Sequence, residues 1–328
     1  MGGSILGSEA VFNFFEEKIK KKIYFLDNLN EKKIRDLKKN KNNKTLFIII
    51  SKSGNTIETL SNLFLLNILK KNAKNIIIIS EKKNNLLFKV SKKFNLFFVE
   101  HRNYIGGRYS IFSEVGALPA FLMGINVIKL RSNIQDWIKG SEKNFLKKNS
   151  IMLANLLNGQ KYNNLIFINY SPELEKFLYW CQQLIAESLG KKNKGFLPLI
   201  SNAPKDHHSL LQLYLDGPKD KLFYIFTLEN RSKETIKISK KISKNYFLNN
   251  KKLEKIKIAQ KEALTKSFKQ KNIPFREFKI KKKDEKTLGK LFSYFILETI
   301  LVGKLLKINP FDQPAVEQVK IFTKKFLI

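Results

Sequence analysis

Short runs of apolar, β-branched residues recur along this 328-residue chain, and segments with helical periodicity separate them. Runs that lack polar alternation are typical of strands buried on both faces, which occur in parallel sheets covered by helices. The runs that we assign to strands are residues 24–26, 46–50, 75–80, 96–99, 165–169, 196–200, 222–228 and 275–280. The sequence therefore predicts an α/β fold with doubly wound parallel sheets.

The alternation of strands and helices is interrupted once along the chain. Residues 134–157 have the pattern of helices without a strand, and the alternation resumes at Leu165. A chain of this length can bury two cores of ordinary size. We therefore predict two domains, residues 1–145 and residues 146–328, with a lysine-rich and largely helical extension after residue 233. Within that extension residues 288–306 form the most apolar helix, which ends before Asn309 and Pro310.

The charge of the chain is strongly basic. There are 62 Lys and Arg residues against 28 Asp and Glu, a formal net charge of +34. Such a charge attracts any polyanion, which would suit a nucleic-acid-binding protein. The lysines, however, are spread over nearly every polar segment and form no single stripe with interleaved aromatic residues. We interpret them as solvated helix faces and predict no specific nucleic-acid partner.

Cysteine content and hydrophobic run length both bear on the compartment. A single cysteine, Cys181, excludes an internal disulfide and agrees with a reducing compartment. No apolar run approaches the roughly 18 to 20 residues that span a bilayer, and the first residues lack the basic and apolar regions of a signal peptide. We expect a soluble, cytoplasmic protein without a membrane partner.

The segment Ser-Lys-Ser-Gly-Asn-Thr-Ile-Glu-Thr at residues 51–59 directly follows a predicted strand and precedes a helical stretch. It presents hydroxyl groups and a run of backbone N–H groups at the positive end of a helix, where hydrogen bonds and the helix dipole together hold anions. The segment is therefore a candidate phosphate site. An ordinary Ser/Thr helix cap is the alternative.

Two further segments place charged side chains in positions suited to catalysis. A pair of glycines precedes Arg108 and lets the backbone approach a ligand closely, although a surface turn is the alternative. Gln183 and Glu187 are four residues apart on a helix that we expect to end at Gly190, so they project from one face. Partial burial would raise the pKa of the Glu187 carboxyl toward that of a general base, whereas an exposed last-turn glutamate is the alternative.

Histidine is the side chain best suited to move protons near neutral pH. His207 and His208 stand together where a helix begins, with an exposed helix-start pair as the alternative, and we interpret His101 as an ordinary loop residue. The sequence has no Cys/His cluster, no carboxylate pair at metal spacing and neither glycine-rich nucleotide loop. We therefore predict no metal site.

The end of the chain carries polar residues at the start of a predicted terminal helix. Pro314 is well placed as the first helical residue, which puts Gln313 at the entrance and Lys320 about two turns inside. A simple capped terminal helix is the alternative interpretation of this segment.

Taken in order, these motifs resemble the motif series of the phosphoglucose isomerase family over essentially the whole chain. The 51–59 segment by itself is similar to the phosphate loop of sugar isomerase (SIS) domains, which bind phosphosugars. The resemblance therefore implies two flavodoxin-like SIS domains, the second with C-terminal helices. The matching segments are residues 2–7, 51–59, 106–110, 183 with 187–191, 208–209 with 212 and 217, and 309–320.

The resemblance implies an enzyme of glycolysis and gluconeogenesis that interconverts glucose 6-phosphate and fructose 6-phosphate through an enediol, without metal or cofactor. Glu187 matches the base that moves a proton between C2 and C1, and Arg108 matches the cation that steadies the enediolate. His208 matches the histidine that opens the sugar ring, and Lys320 matches the lysine that acts at the ring oxygen. The residues that match the family's substrate contacts are Gly3, Ser4, Ser51, Lys52 through its backbone N–H, Ser53, Thr56, Thr59, Gln183 and Gln313.

In this family the histidine reaches the active site of the neighbouring subunit, so the resemblance implies a homodimer. Family members also have a strand and an N-terminal segment before the position of Gly2, and we expect this chain to be a truncated form with exposed strand edges. A non-catalytic phosphosugar-binding SIS protein is the alternative function. Retention of all the catalytic matches argues against it, since binding needs only the 51–59 loop.

Overall fold

The computed structural model describes residues 2–229, 234–239, 242 and 246–328, whose strands form two parallel sheets. The strands are β1 (Phe47–Ile50), β2 (Ile76–Ser80), β3 (Phe97–Glu100), β4 (Asn164–Asn169), β5 (Leu197–Asn202), β6 (Lys221–Leu228) and β7 (Phe275–Ile280). The helices are α1 (Gly3–Phe15), α2 (Glu31–Asn40), α3 (Ile57–Leu66), α4 (Leu86–Phe94), α5 (Glu114–Leu122), α6 (Val127–Arg131), α7 (Ile134–Ile138), α8 (Lys143–Asn158), α9 (Glu175–Leu189), α10 (Leu211–Asp216), α11 (Leu253–Gln270), α12 (Glu285–Leu305) and α13 (Ala315–Phe326). The predicted α/β class is confirmed.

The first sheet has the strand order β1-β2-β3. Its register pairs Phe47 with Ile76 and Ile77 with Phe97. Ile76 and Ile78 are buried, because helices cover the sheet, and such strands tolerate apolar residues at every position. Helix α3 follows β1 and α4 follows β2, so both helices begin at the carboxyl edge of the sheet.

The second sheet has the order β5-β4-β6-β7, and all its pairs are parallel. This is the arrangement of flavodoxin-like sheets, in which the first strand of the unit lies inside and the connections run out in both directions. Its central strand is deeply buried, with Phe167 paired to Ile200 on one side and Tyr224 on the other. The helices of residues 127–158 and α12 pack on this half.

Helix α1 belongs to the core of the second sheet, although it precedes the first sheet in the chain. Its residues Ala10 and Phe14 are fully buried in the cluster that contains Phe167 and Phe177. The helix packs along α9, which holds its first residues beside the end of α9. The predicted domain boundary at residues 145/146 falls within α8 and stays a prediction.

The prediction of a strand at residues 24–26 is wrong: the described structure has none there, and β1 pairs only with β2. The three apolar side chains do not share one face of a sheet. Phe25 packs on the core of the second sheet, whereas Leu26 packs on that of the first. The segment thus bridges two cores, and a groove of about 760 Å³ lies along the unpaired edge of β1.

The remaining predicted strands are present within one or two residues of their expected bounds. The helix predicted at residues 288–306 is present as α12. Part of the lysine-rich extension lies outside the described residues. Among the described helices, none has the length and apolar content needed to cross a membrane.

Candidate active site

The 51–59 segment forms a tight loop between β1 and α3, and it is locked against the start of α4. Gly54 has a positive φ of 67°, and a Cβ atom there would lie 1.9 Å from Oδ1 of Asn85. The backbone N–H of Leu87 donates to the Gly54 carbonyl over 3.1 Å, and that of Leu86 donates to the Asn55 side chain over 2.9 Å. Only glycine fits this position, so the loop has one defined shape.

The loop's hydroxyl groups converge on the first turn of α3. The hydroxyls of Ser51 and Thr56 are hydrogen bonded over 2.7 Å. Thr56 is the N-cap residue of α3, and within the described residues its side chain makes no capping hydrogen bond. Ser53 is exposed and Thr59 is half-buried. The start of α3 therefore presents backbone N–H groups and hydroxyls that can hold a phosphate.

The ammonium group of Lys52 faces the Glu81 carboxylate. Its Nζ lies 3.8 Å from a carboxylate oxygen of Glu81, which also pairs with Lys83. The carbonyl of Lys52 accepts the Glu81 backbone N–H over 3.1 Å. The side chain is thus held by a carboxylate on the neighbouring strand connection, which fits an anion contact through the backbone rather than through the ammonium.

A second group of predicted residues surrounds Arg108, which lies in a 3₁₀ turn, Gly107–Phe112. The start of α1 packs directly on this turn, because a Cβ atom on Gly3 would lie 2.3 Å from the Arg108 backbone nitrogen. Gly2 approaches the Gln183 side chain in the same way, with 3.0 Å from its ideal Cβ to Nε2. The glycines at residues 2 and 3 thus allow the start of α1, the Arg108 turn and helix α9 to meet.

All five N–H groups of the Arg108 guanidinium donate to acceptors, and the side chain is almost fully buried. Nη1 donates to Glu187 Oε2 over 3.0 Å and to Gln313 Oε1 over 2.8 Å. Nη2 donates to the carbonyls of Pro310 and Asp312 over 2.7 and 2.9 Å. Nε donates to the Ser188 hydroxyl over 2.8 Å. The arginine therefore joins α9 to the segment before α13.

Glu187 is held from two sides and remains open to solvent. Its Oε1 accepts from Gln183 Nε2 over 3.0 Å, as expected for side chains four residues apart on a helix. Its Oε2 faces Arg108, and its side chain is 33% exposed. A carboxylate with fixed orientation, a cation and solvent access can take a proton from a bound carbon acid.

One residue of the 51–59 loop and one residue near the Arg108 turn line the same groove. Ser4 lies beside Gly107, whose ideal Cβ is 3.7 Å from the Ser4 hydroxyl. Ser4 and Thr59 both line the groove beside β1. The groove therefore connects the first turns of α3 and α1.

Two of the predicted catalytic residues lie apart from this group. His208 is exposed after the 3₁₀ turn Lys205–His207. Its neighbour His207 is bonded to the Tyr170 hydroxyl over 2.8 Å, and burial lowers the pKa of His207. Lys320 is exposed on α13 and pairs with Glu317 over 2.6 Å. The single chain thus brings together Glu187, Arg108, Gln183 and Gln313, whereas His208 and Lys320 lie exposed on its surface.

Sequence reasoning missed His101 as part of the framework of this site. Its ring is buried between the Glu114 carboxylate and the Ile105 carbonyl, which accepts from Nε2 over 3.1 Å. These contacts close the loop that leads from β3 to the Arg108 turn. The signal for it was its position directly after a parallel strand, at the edge where functional loops collect. Within the described residues no cluster of His, Cys, Asp and Glu has the make-up of a metal site.

Comparison with known proteins gives consistent matches over the whole chain. A model of the phosphoglucose isomerase family matches residues 1–327. The probable glucose-6-phosphate isomerase of Methanococcus maripaludis is 34% identical over 335 residues, covering 98% of this chain and 75% of that protein. The glucose-6-phosphate isomerase of Methanocaldococcus jannaschii is 31% identical over 340 residues, covering 98% and 81%.

A solved structure extends the comparison to the fold. The glucose-6-phosphate isomerase of Chlamydia trachomatis matches with a TM-score of 0.83 at 20% identity, over 99% of this chain and 68% of that one. Two helix-covered parallel sheets with a hydroxyl-rich loop after the first strand belong to a protein of the sugar isomerase (SIS) domain class. Within that class, the chain belongs to the phosphoglucose isomerase family.

Proposed function

We propose that this chain interconverts glucose 6-phosphate and fructose 6-phosphate through an enediol intermediate, as a step of glycolysis and gluconeogenesis. Family membership supports the activity, and the relatives named above are glucose-6-phosphate isomerases. The observation that carries the mechanism is the Glu187 carboxylate, which is fixed between Gln183 and the Arg108 guanidinium and remains partly exposed to solvent.

The proton transfer needs one base and one fixed positive charge. Glu187 removes the proton from C2 of the open-chain aldose, and the electron pair forms a C1–C2 double bond while charge moves to the carbonyl oxygen. The Arg108 guanidinium stabilises that oxyanion where its charge develops. A proton then passes from the C2 hydroxyl to O1, the Glu187 carboxyl returns its proton to C1, and the C2–O2 bond becomes the carbonyl of a ketone. Atoms and electrons balance within the sugar.

Arg108 must exchange one partner when substrate binds, since its five N–H groups are already engaged. The bonds from Nη1 lead to the side chains of Glu187 and Gln313, whereas those from Nε and Nη2 lead to a buried hydroxyl and to backbone carbonyls. Side chains rotate more easily than a packed backbone moves. We therefore assign Nη1 as the nitrogen that turns toward the substrate oxygens, with Gln313 and Gln183 contacting sugar hydroxyls.

The phosphate group is assigned to the loop at the start of α3. The contributing groups are the hydroxyls of Ser51, Ser53, Thr56 and Thr59 and the backbone N–H of Lys52. These groups meet a part of the substrate that does not react, so they bind ground state and transition state alike. Gly3 and Ser4, at the start of α1, lie beside the sugar between the two groups of residues.

We assign ring opening to His208 and Lys320, and we propose that His208 acts in the site of a second copy of this chain. The topology supports a homodimer. Asn202, at the end of β5, donates to Glu175 at the start of α9 over 2.9 Å, so both mark the carboxyl edge of the second sheet. Glu187 lies twelve residues beyond Glu175 on α9, a distance of about 18 Å along the helix axis. His208 follows β5 at the carboxyl edge, near the opposite end of α9 from Glu187, which favours its action in the site of a second chain.

Further assignments follow from the sequence. We propose two SIS domains, residues 1–145 and residues 146–328. We propose a cytoplasmic location, because one buried cysteine and no disulfide fit a reducing compartment. We propose that the dispersed lysines bind no specific nucleic acid.

The activity is tested with purified chain and fructose 6-phosphate, with formation of glucose 6-phosphate followed by a coupled dehydrogenase. The expected result is turnover in both directions and competitive inhibition by inorganic phosphate. Absence of turnover from a chain that melts cooperatively and binds fructose 6-phosphate would favour the non-catalytic alternative.

The homodimer is tested by co-expressing two inactive variants, Glu187→Gln and His208→Ala, so that they assemble together. If His208 acts across the interface, each mixed dimer contains one site with both groups intact, and random pairing restores roughly a quarter of the parent activity. A mixture as inactive as its components would refute the shared site.

A further inference from the structure

Arg108, Ser188, Tyr109 and Pro310 form a closed ring of hydrogen bonds behind the candidate base. Arg108 Nε donates to Ser188 Oγ over 2.8 Å, and Ser188 Oγ lies 2.8 Å from the Tyr109 hydroxyl. The Tyr109 hydroxyl donates to the Pro310 carbonyl over 2.9 Å, and Arg108 Nη2 donates to the same carbonyl over 2.7 Å. The ring therefore begins and ends on one guanidinium.

The direction of every bond in the ring follows from the chemistry of its members. A carbonyl only accepts, so the single proton of the Tyr109 hydroxyl goes to Pro310. In the hydrogen bond between Ser188 and Tyr109, the Ser188 hydroxyl must then be the donor. Ser188 in turn accepts from the guanidinium, which can only donate. Burial raises the pKa of Tyr109, which keeps the phenol protonated in this role. The hydroxyl protons of Tyr109 and Ser188 therefore each have one acceptor in the ring.

The ring is buried and is anchored from outside. Ser188 is fully buried, and Arg108 is 3% exposed. Lys191 holds the same segment that Pro310 belongs to, because its Nζ donates to the Asn309 carbonyl over 2.5 Å and pairs with Asp312 over 2.9 Å. The Arg108 guanidinium also lies over the Tyr109 ring, 5.3 Å from its centre. The orientation of the guanidinium is thus determined by more than its contact with Glu187.

We propose that Ser188 and Tyr109 are positioning residues that fix the Arg108 guanidinium for the isomerisation. They hold Nε directly and Nη2 through Pro310, which leaves Nη1 as the nitrogen presented to Glu187 and to substrate. The inference rests on the proposed function only for its consequence on rate. The hydrogen-bond ring itself is a property of the protein without substrate.

The kinetic test removes one hydroxyl at a time with Tyr109→Phe and Ser188→Ala. A misplaced guanidinium loses stabilisation of the transition state, so kcat falls by about 10-fold or more while KM stays within about threefold. Tyr224→Phe is the matched control, because Tyr224 is also buried and its hydroxyl has no partner among the described residues. An unchanged kcat in both variants would overturn the proposal.

A double-mutant comparison separates positioning from general support of the fold. Arg108→Lys removes the Nε and Nη2 donors and breaks the ring at its source. In the Arg108→Lys background, Tyr109→Phe should lower kcat no further, because the hydroxyl then has no guanidinium to orient. If the two losses instead multiply, Tyr109 acts independently of Arg108 and the proposal is wrong.

A measurement without substrate keeps the test independent of the activity. Exchange of the Arg108 Nε–H with water can be followed by nitrogen-15 NMR, and the chain has six arginines, so few signals compete. Slow exchange is expected in the parent and in Tyr224→Phe, with exchange about 10-fold faster or more in Ser188→Ala. Equal exchange in parent and Ser188→Ala would overturn the proposal whether or not the chain is an isomerase.

Discussion

The candidate phosphate loop and the group around Arg108 are built in opposite ways. The loop is one continuous strand-loop-helix unit at residues 51–59, supported by the next unit of the same sheet through Asn85 and Leu87. The Arg108 group joins the start of α1, a turn after the first sheet, the end of α9 and the segment before α13. The acceptors of the Arg108 side chain lie 79 to 205 residues away in the chain.

This difference in construction predicts a difference in function. A loop made by local contacts holds its shape through small motions elsewhere, which suits a binding site for the constant phosphate group. A site made from distant segments closes only when they are all docked, so its geometry is coupled to the fold of the second sheet and to the C-terminal segment. We expect changes in the loop to act on affinity and changes around Arg108 to act on rate.

The largest expected effect comes from Glu187→Gln, which keeps the shape of the side chain and removes the base. We expect kcat to fall by about 10² or more with KM little changed, because a general base acts only on the chemical step. Glu31→Gln, on the exposed helix α2, is the control. A kcat within about threefold of the parent would be far smaller than removal of a general base produces and would reject Glu187 as the base.

The second effect tests the loop. Ser53→Ala combined with Thr56→Ala removes two hydroxyls from the candidate phosphate site, so we expect KM to rise by about 10-fold or more while kcat changes little. Inhibition by inorganic phosphate should weaken in parallel. Ser132→Ala combined with Ser267→Ala is the surface control. Unchanged phosphate inhibition in the loop variant would contradict the assignment.

A smaller effect distinguishes the two regions with the same substitution. Gly54→Ala places a methyl group against Asn85 in the loop and imposes strain at a positive φ, costing about 1 to 3 kcal/mol. Gly3→Ala places one against the Arg108 backbone. We expect the loop variant mainly to raise KM and the α1 variant mainly to lower kcat, each by about 3- to 10-fold.

The same kinetic signature from both glycine variants would show that the loop and the Arg108 group respond as one unit. Melting curves serve as the control, because they report how far each variant is destabilised overall. Reversed signatures would contradict the division between affinity and rate directly.

The difference between local and long-range contacts also explains which parts of the site could be predicted from the sequence. The residues of the 51–59 loop are neighbours in sequence, and so are Gln183 and Glu187. The rules for strands, helices and turns therefore place the members of each set together. The closed ring through Ser188 and Tyr109 depends on the meeting of distant segments, which periodicity does not encode. The short run at residues 24–26 was misassigned because apolar residues that bridge two cores have the same composition as a strand.

The smallest expected effect concerns Glu9, on the helix whose first residues serve the Arg108 group. Burial raises the pKa of the Glu9 carboxyl, and the positive charge of Lys176 is the largest opposing influence. Oε2 of Glu9 has no hydrogen-bond partner among the described residues. The folded state therefore binds this proton more tightly than the unfolded state does. The stability that Glu9 contributes is present below its unfolded pKa of about 4.5 and is lost as pH rises through the folded pKa.

Glu9→Gln should thus raise Tm at pH 7 by roughly 1 to 3 °C, and the difference should shrink as pH is lowered toward 4.5. Because the side chain touches neither the loop nor the Arg108 guanidinium, kcat and KM should stay at parent values. Thermal melts between pH 7 and 4.5, with assays at pH 7, measure both quantities. A change in kcat without a change in Tm would show that α1 transmits strain to the Arg108 turn. Residues in the middle of α1 would then affect the rate as well as the first residues of that helix.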